Sequence, residues 1–194
     1  MTSQLKLIVG LGNPGNQYEK TRHNAGFWFI DTLLSQIGES LRHENKFHGD
    51  VLNTSVHYQN IWLLKPDTFM NKSGQAIAAL ANFYKIEPEQ ILVVHDELDL
   101  PPGSVRFKTG GGHGGHNGLK DTVACLGSKS FHRLRIGIGH PGQASKVTGY
   151  VLGKASIDDH IEIEHAINRA IKLLPEMISG KQQLVMNTLH SEPR

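Results

Sequence analysis

The sequence predicts a single α/β domain, a twisted mixed β-sheet flanked by helices on both faces. Three observations predict it. Apolar segments of strand character alternate along the chain with segments whose apolar residues recur at helical spacing. Ile91-Leu-Val-Val-His95 is a continuous apolar run, the pattern of a central strand buried on both faces. No shift in composition divides the 194 residues, a length that suits one core, so residues 1–194 are expected to form one domain.

Each element has a local reason. Leu5-Lys-Leu-Ile-Val-Gly-Leu11 is rich in branched apolar residues and reads as the first strand, halted by Gly12-Asn13-Pro14-Gly15. After a polar loop, Ala25, Phe27 to Ile30, Leu33, Leu34 and Ile37 cluster at helical spacing and stop at Gly38. Val51 to Val56 and Ile61 to Leu64 read as the two strands of a hairpin. Ile77, Leu80, Ala81, Phe83 and Tyr84 predict a helix with Asn71 or Ser73 as its N-cap. The run at Ile91 follows, bounded by Pro88 and by Asp96-Glu97, and then a short strand from Val105 to Lys108. Asn117 is expected to cap a helix with Leu119, Val123 and Leu126 on its inner face, ended by Gly127. Leu134 to Ile138 alternates as a strand, and Ile157 to Ile178 is an amphipathic helix that Pro175 should kink or split.

Composition narrows the function classes. No apolar run approaches the ~20 residues of a membrane helix, and Met1-Thr-Ser-Gln-Leu-Lys6 lacks the apolar core of a signal peptide. Cys125 is the only cysteine, which excludes an intrachain disulfide and points to a reducing cytosol; its helical context suggests a small core residue. Charge is unevenly placed. Between Pro101 and Lys154 eight Lys/Arg face one acid, Asp121, although the whole chain carries only +2. The same stretch includes Thr109-Gly-Gly-Gly-His-Gly-Gly-His-Asn-Gly118. A basic surface around a glycine-rich loop suits a polyphosphate or nucleic-acid ligand, against the plainer reading of a solvated basic face.

Gly10-Leu-Gly12-Asn-Pro-Gly15 matches the dinucleotide pattern G-x-G-x-x-G, but Pro14 and a polar stretch separate it from the next helix, and Asp31 falls inside that helix instead of ending a second strand. The polar residues near strand ends carry more: Asn13, Thr21-Arg-His-Asn24, Met70-Asn71, His95-Asp-Glu97, His113 and His116-Asn117. Loops at the carboxyl ends of strands gather into one crevice in such folds. There His23 and Asp96 could meet as a base and its orienting carboxylate. A zinc site from His95, Asp96, His113 and His116 is a rival reading, since the residue types suit it, although nothing in the spacing fixes the geometry. No G-x-S-x-G elbow is present, so a hydrolase of this kind would use water as its nucleophile.

Seven blocks in order resemble the bacterial-type peptidyl-tRNA hydrolases: Val9–Gly15, the single residue Tyr18, Thr21–Gly26, Thr68–Gly74, His95–Pro101, Gly110–Leu119 and Phe131–Gly139. They cover roughly residues 5–155; the C-terminal forty match only in helical character. The resemblance implies a monomeric, cytoplasmic esterase without metal or other cofactor, whose partner is peptidyl-tRNA and which has no membrane association. It would cleave the bond between a peptide and the 3′-terminal ribose and so recycle tRNA. On the same basis His23 is the base, Asp96 keeps it basic, and Asn13 senses whether the α-amine is blocked. Tyr18, Phe69, Asn71 and Asn117 contact the substrate's 3′ end, Met70 and His116 support the site, and Lys108 with Arg135 clamps the tRNA 5′-phosphate. His140 stands where many relatives carry Arg.

From the chemistry, an Asn carbonyl is expected to accept the amide N–H of a blocked residue, and the amide of Asn71 or Asn117 to donate to the oxyanion. Two rival classes remain: a non-catalytic RNA-binding member of the same fold, akin to organellar splicing factors, and a metal-dependent hydrolase.

Overall fold

The computed structural model describes residues 3–191. Within them seven strands form one sheet: β1 (Leu7–Gly10), β2 (Arg42–Glu44), β3 (Gly49–Val56), β4 (Gln59–Pro66), β5 (Ile91–Glu97), β6 (Val105–Thr109) and β7 (His132–Gly137). Their spatial order is β2-β3-β4-β1-β5-β7-β6. The centre is parallel, with β1 between β4 and β5, and β7 beside β5. Both flanks are antiparallel, β2 and β3 on one side and β6 on the other. The sheet is mixed, as the sequence predicts.

Helices cover both faces, which is why the central strands are apolar without a break. Ile8, Leu92 and Val94 face one cluster with Leu134 and Ile136, while Leu7, Val9, Ile91 and Val93 face the other. On the first face lie α1 (Ala25–Ile37), α5 (Ile157–Lys172), α6 (Leu174–Ile178) and α7 (Gln182–Ser191). On the second lie α2 (Ser73–Phe83) and α3 (Asn117–Leu126); a short helix, α4 (Val147–Val151), precedes α5. Gly38 and Gly127 end α1 and α3 with left-handed backbones whose N–H groups return to Leu34 and Val123. The long C-terminal amphipathic segment divides between Lys172 and Leu174, with Pro175 in the first turn of α6.

Three local expectations are corrected. Neither Asn71 nor Ser73 caps α2: the Ser73 hydroxyl donates to the Met70 carbonyl, and the cap comes from another helix, where Asp121 Oδ2 accepts the Gly74 N–H at 2.8 Å. The residue capping α3 is His116, not Asn117; its Nδ1 accepts the N–H groups of Gly118 and Leu119. Cys125 is exposed, because the buried side of α3 is carried by Gly118, Leu119 and Thr122, leaving Val123 and Leu126 half-buried.

Two glycines set the approach of α1 to the sheet. A Cβ on Gly10 would lie 2.3 Å from the Gly26 carbonyl oxygen, and one on Gly26 would lie 2.3 Å from that of Val94. The start of α1 therefore rests directly on the backbones of β1 and β5. The turn before it, Arg22–Asn24, is thereby held at the carboxyl end of the sheet.

Candidate active site

At that end a crevice of about 650 Å³ opens between the strand termini and the loops that follow them. Asn13, His23, Phe69, Met70, Asn71, Asp96, Lys108, His116, Asn117 and Arg135 all line it; of the residues to which the resemblance gives a role only Tyr18 does not, and it meets the site through an edge-to-face contact with Phe69, ring centroids 6.2 Å apart, while Thr21, Arg22 and Asn24, beside His23 in the chain, lie outside the lining.

Asp96 is the centre of the arrangement. It occupies the last turn of register before β5 ends, with a side chain only 2% exposed. Its Oδ2 lies 2.8 Å from His23 Nδ1 and its Oδ1 lies 2.7 Å from His116 Nε2. Burial alone would push this carboxyl toward its neutral form, but the His23 and His116 rings, by charge and hydrogen bonding, outweigh it and hold the group well below the usual carboxylate range. His23 answers in the opposite sense. Burial penalises its charged form, yet the Asp96 charge and hydrogen bond prevail and raise its pKa above the ordinary 6.5. With Nδ1 donating to Asp96, the other ring nitrogen, Nε2, has no protein partner among the described residues and faces the crevice.

The tautomer of His116 is dictated by its surroundings. Its Nδ1 receives two backbone N–H groups, at 3.1 and 3.3 Å, so it bears no proton and the ring's N–H is at Nε2, pointing to Asp96. His95 packs edge-on against His116, centroids 5.1 Å apart, and donates from Nδ1 to the Asp96 carbonyl oxygen. Complete burial, with His116 as its neighbour, brings its pKa down to about 3, so it stays neutral.

Asn13 is 7% exposed and held on two sides. Asn24 brackets its main chain, accepting its N–H at 2.8 Å and donating to its carbonyl at 3.0 Å. The Met70 N–H donates to Asn13 Oδ1 at 2.7 Å, which fixes the amide's orientation and leaves Nδ2 for the crevice. The expected carbonyl acceptor for a substrate N–H therefore already has one lone pair engaged by Met70, and the amide also has its Nδ2 donors to offer. Asn71 and Asn117 are exposed at the crevice wall.

On the β6–β7 side, Arg106 pairs in register with Arg135 and Lys108 with Arg133, so four cationic residues share one face of the sheet edge. Arg135 donates from Nε to Glu97 Oε1 at 2.7 Å. Arg133, 2% exposed and packed over the Phe131 ring, donates to the carbonyls of Gly111 and Gly112 and so ties down the glycine-rich loop.

A zinc site of the expected composition is not assembled: His113 is exposed in the loop, with its Nδ1 accepting the Gly115 N–H, and His95 is turned to the backbone. His23, Asp96 and His116 do present three ligand-type atoms within 4.8 Å of one another. A cation on His116 Nε2 would require that nitrogen's proton to move to Nδ1, against two N–H donors. The trio fits a hydrogen-bonded chain better than a metal cage. The dinucleotide pattern is also accounted for, since Gly10 serves the contact with α1, and Asp31, on that helix, pairs with Lys65 at 2.8 Å.

The peptidyl-tRNA hydrolase family model matches residues 7–194. The chain belongs to the peptidyl-tRNA hydrolase family. Among its relatives, the peptidyl-tRNA hydrolase of Coxiella burnetii (strain RSA 331 / Henzerling II) is 56% identical over 98% of this chain and the whole of that protein. The peptidyl-tRNA hydrolase of Neisseria gonorrhoeae (strain NCCP11945) is 54% identical over 99% and the whole. The crystal structure of peptidyl-tRNA hydrolase from Acinetobacter baumannii superposes with a TM-score of 0.95 at 47% identity, covering 98% of this chain and 97% of that one. The family match extends past the seven blocks into the C-terminal helices. What the sequence reading missed in this peptidyl-tRNA hydrolase site is its supports, Asn24, Arg133 and Glu97. Asn24 stood within a segment already singled out, but Arg133 alternates with Leu134 and would be placed on a solvent face.

Proposed function

We propose that this enzyme hydrolyses the ester joining a peptide to the 3′-terminal ribose of tRNA, with water as nucleophile and His23 as general base. The observation that carries the reading is the 2.8 Å contact of His23 Nδ1 with buried, ionised Asp96, which leaves Nε2 unprotonated toward the crevice. His23 Nε2 takes a proton from water as the oxygen attacks the acyl carbon. Asp96 stabilises the imidazolium without taking the proton itself. When the tetrahedral intermediate collapses, the acyl–O3′ bond breaks and the His23 proton passes to the ribose oxygen, giving tRNA and a peptide carboxylic acid that loses its own proton to solvent. General-base assistance of this kind contributes about 10²–10⁴ in rate. The exposed amides of Asn71 and Asn117 are the candidate donors to the oxyanion.

Discrimination follows from the orientation of Asn13. Its Nδ2 donates to the carbonyl of an N-acylated residue, whereas a free α-ammonium, itself all donor, cannot accept from it. Tyr18, Phe69, Asn71 and Asn117 form the wall that receives the 3′ end, Met70 and His116 support it, and Lys108 with Arg135 supplies the clamp for the tRNA 5′-phosphate. The test compares N-acetyl-aminoacyl-tRNA with free aminoacyl-tRNA, with and without chelator. Release of the blocked amino acid alone, indifferent to chelation, is expected. Binding without release would mark an RNA-binding module, and loss on chelation a metal enzyme.

A further inference from the structure

We infer that His116 is a positioning residue: α3 pins its tautomer, and its Nε2–H holds Asp96 in place so that the other carboxylate oxygen is aimed at His23. The inference rests on the reading of His23 and Asp96 given above and adds a third member to that pair. A carboxylate has two oxygens and can rotate about its χ2; with one partner only, either oxygen could serve His23. Here Oδ1 is occupied by His116 at 2.7 Å and Oδ2 by His23 at 2.8 Å, so the carboxylate plane is held at two points. The donor at Oδ1 cannot turn into an acceptor, because its far nitrogen is engaged by the Gly118 and Leu119 N–H groups at the start of α3. The position is further hemmed in by the His95 and His23 rings, each 5.1 Å from the His116 centroid. A helix terminus is in this way coupled, through one imidazole and one carboxylate, to the ring that faces the substrate. The charged and titratable groups around Asp96 are His23, His95 and His116, with Arg133 close to His95.

The two nitrogens of His116 can be separated by substitution. His116→Asn retains an acceptor near the Nδ1 position, and so the cap, but is too short to reach Asp96. His116→Gln places an amide donor near the Nε2 position and forfeits the cap. The expected result is that H116N lowers kcat by about 10- to 100-fold, the scale of loss when a catalytic group is misplaced by about 1 Å, with KM and melting temperature near wild type. Its acid limb in kcat/KM should also move to higher pH, because Asp96, no longer shared, acts on His23 alone. H116Q is expected to keep more of kcat than H116N while melting at a lower temperature. If activity instead tracks melting temperature, with H116N active and H116Q impaired, His116 is only a helix cap and the inference is overturned. Asp96→Asn and His23→Ala serve as references. Should they turn over normally, the underlying mechanism falls and the inference with it; if they are inactive while H116N behaves as wild type in rate and pH profile, only the inference fails.

Discussion

At residue 96 a carboxylate that burial disfavours is kept ionised by two imidazoles, and the ring of His23 gains proton affinity from it. The direction of that shift has a kinetic consequence. A base must be unprotonated, and the His23 pKa lies above 6.5, so the acid limb of kcat/KM should fall above that pH. Asp96→Asn removes the charge and leaves burial unopposed, which lowers the pKa; the acid limb then moves to lower pH while the plateau drops by about 10³–10⁴-fold, as when a triad carboxylate is replaced. A pH–rate profile of the variant with an unmoved limb would separate His23 from Asp96. The pairing of these two residues was legible only as one option beside a zinc site, since His and Asp near strand ends suit both, and it was the resemblance to the family that singled it out. The orientation of Asn13 was not legible, because it depends on a backbone N–H at Met70, 57 residues away.

Among the elements, α2 and α3 form a unit that carries two walls of the crevice. A Cβ on Gly74 would lie 2.4 Å from the Asp121 carbonyl oxygen, so α2 touches α3 at that glycine, and one on Gly118 would lie 2.6 Å from Met70 Sδ in the turn before α2. Asp121 Oδ2 supplies the missing cap of α2. Asp121→Ala is expected to cost about 1 kcal/mol of stability, read as a lower denaturation midpoint with kcat close to wild type. A variant that loses rate without stability would show instead that Asp121 acts on the site. Most elements could be placed from periodicity, glycine stops and Pro175, since these signals are local. The caps of α2 and α3 could not, because one comes from a neighbouring helix and the other from a histidine, a residue outside the usual capping set.

For the molecule as a whole, four of the eight cations in the basic stretch from Pro101 to Lys154 are brought together, where the sheet edge formed by β6 and β7 gathers Arg106, Lys108, Arg133 and Arg135 on a single face. Not all four are available to an RNA. Arg133 is committed to the glycine loop and Arg135 shares its Nε with Glu97, while Lys108 is exposed. Neutralising two phosphate charges at the 5′ end, one by Lys108 and one by Arg135, predicts that raising salt from about 50 to about 200 mM weakens tRNA binding roughly tenfold. In Lys108→Ala the slope of log K against log salt should shrink by about one phosphate's share. An affinity that salt leaves unchanged would remove the electrostatic anchor.

The order of the apolar strands and longer helices, the family, and the candidate residues of the site could be read from the chain, because apolar spacing and ordered motif blocks are properties of neighbouring residues; β2, α4 and α7, short or weakly patterned, could not. Tertiary structure alone decided which nitrogen of His116 carries the proton, which end of the Asn13 amide meets the crevice, and that Arg133 braces a loop. Each of these depends on a hydrogen-bond partner brought from a distant segment or a following helix turn, and such partners exist only once β5, α1 and α3 have packed together.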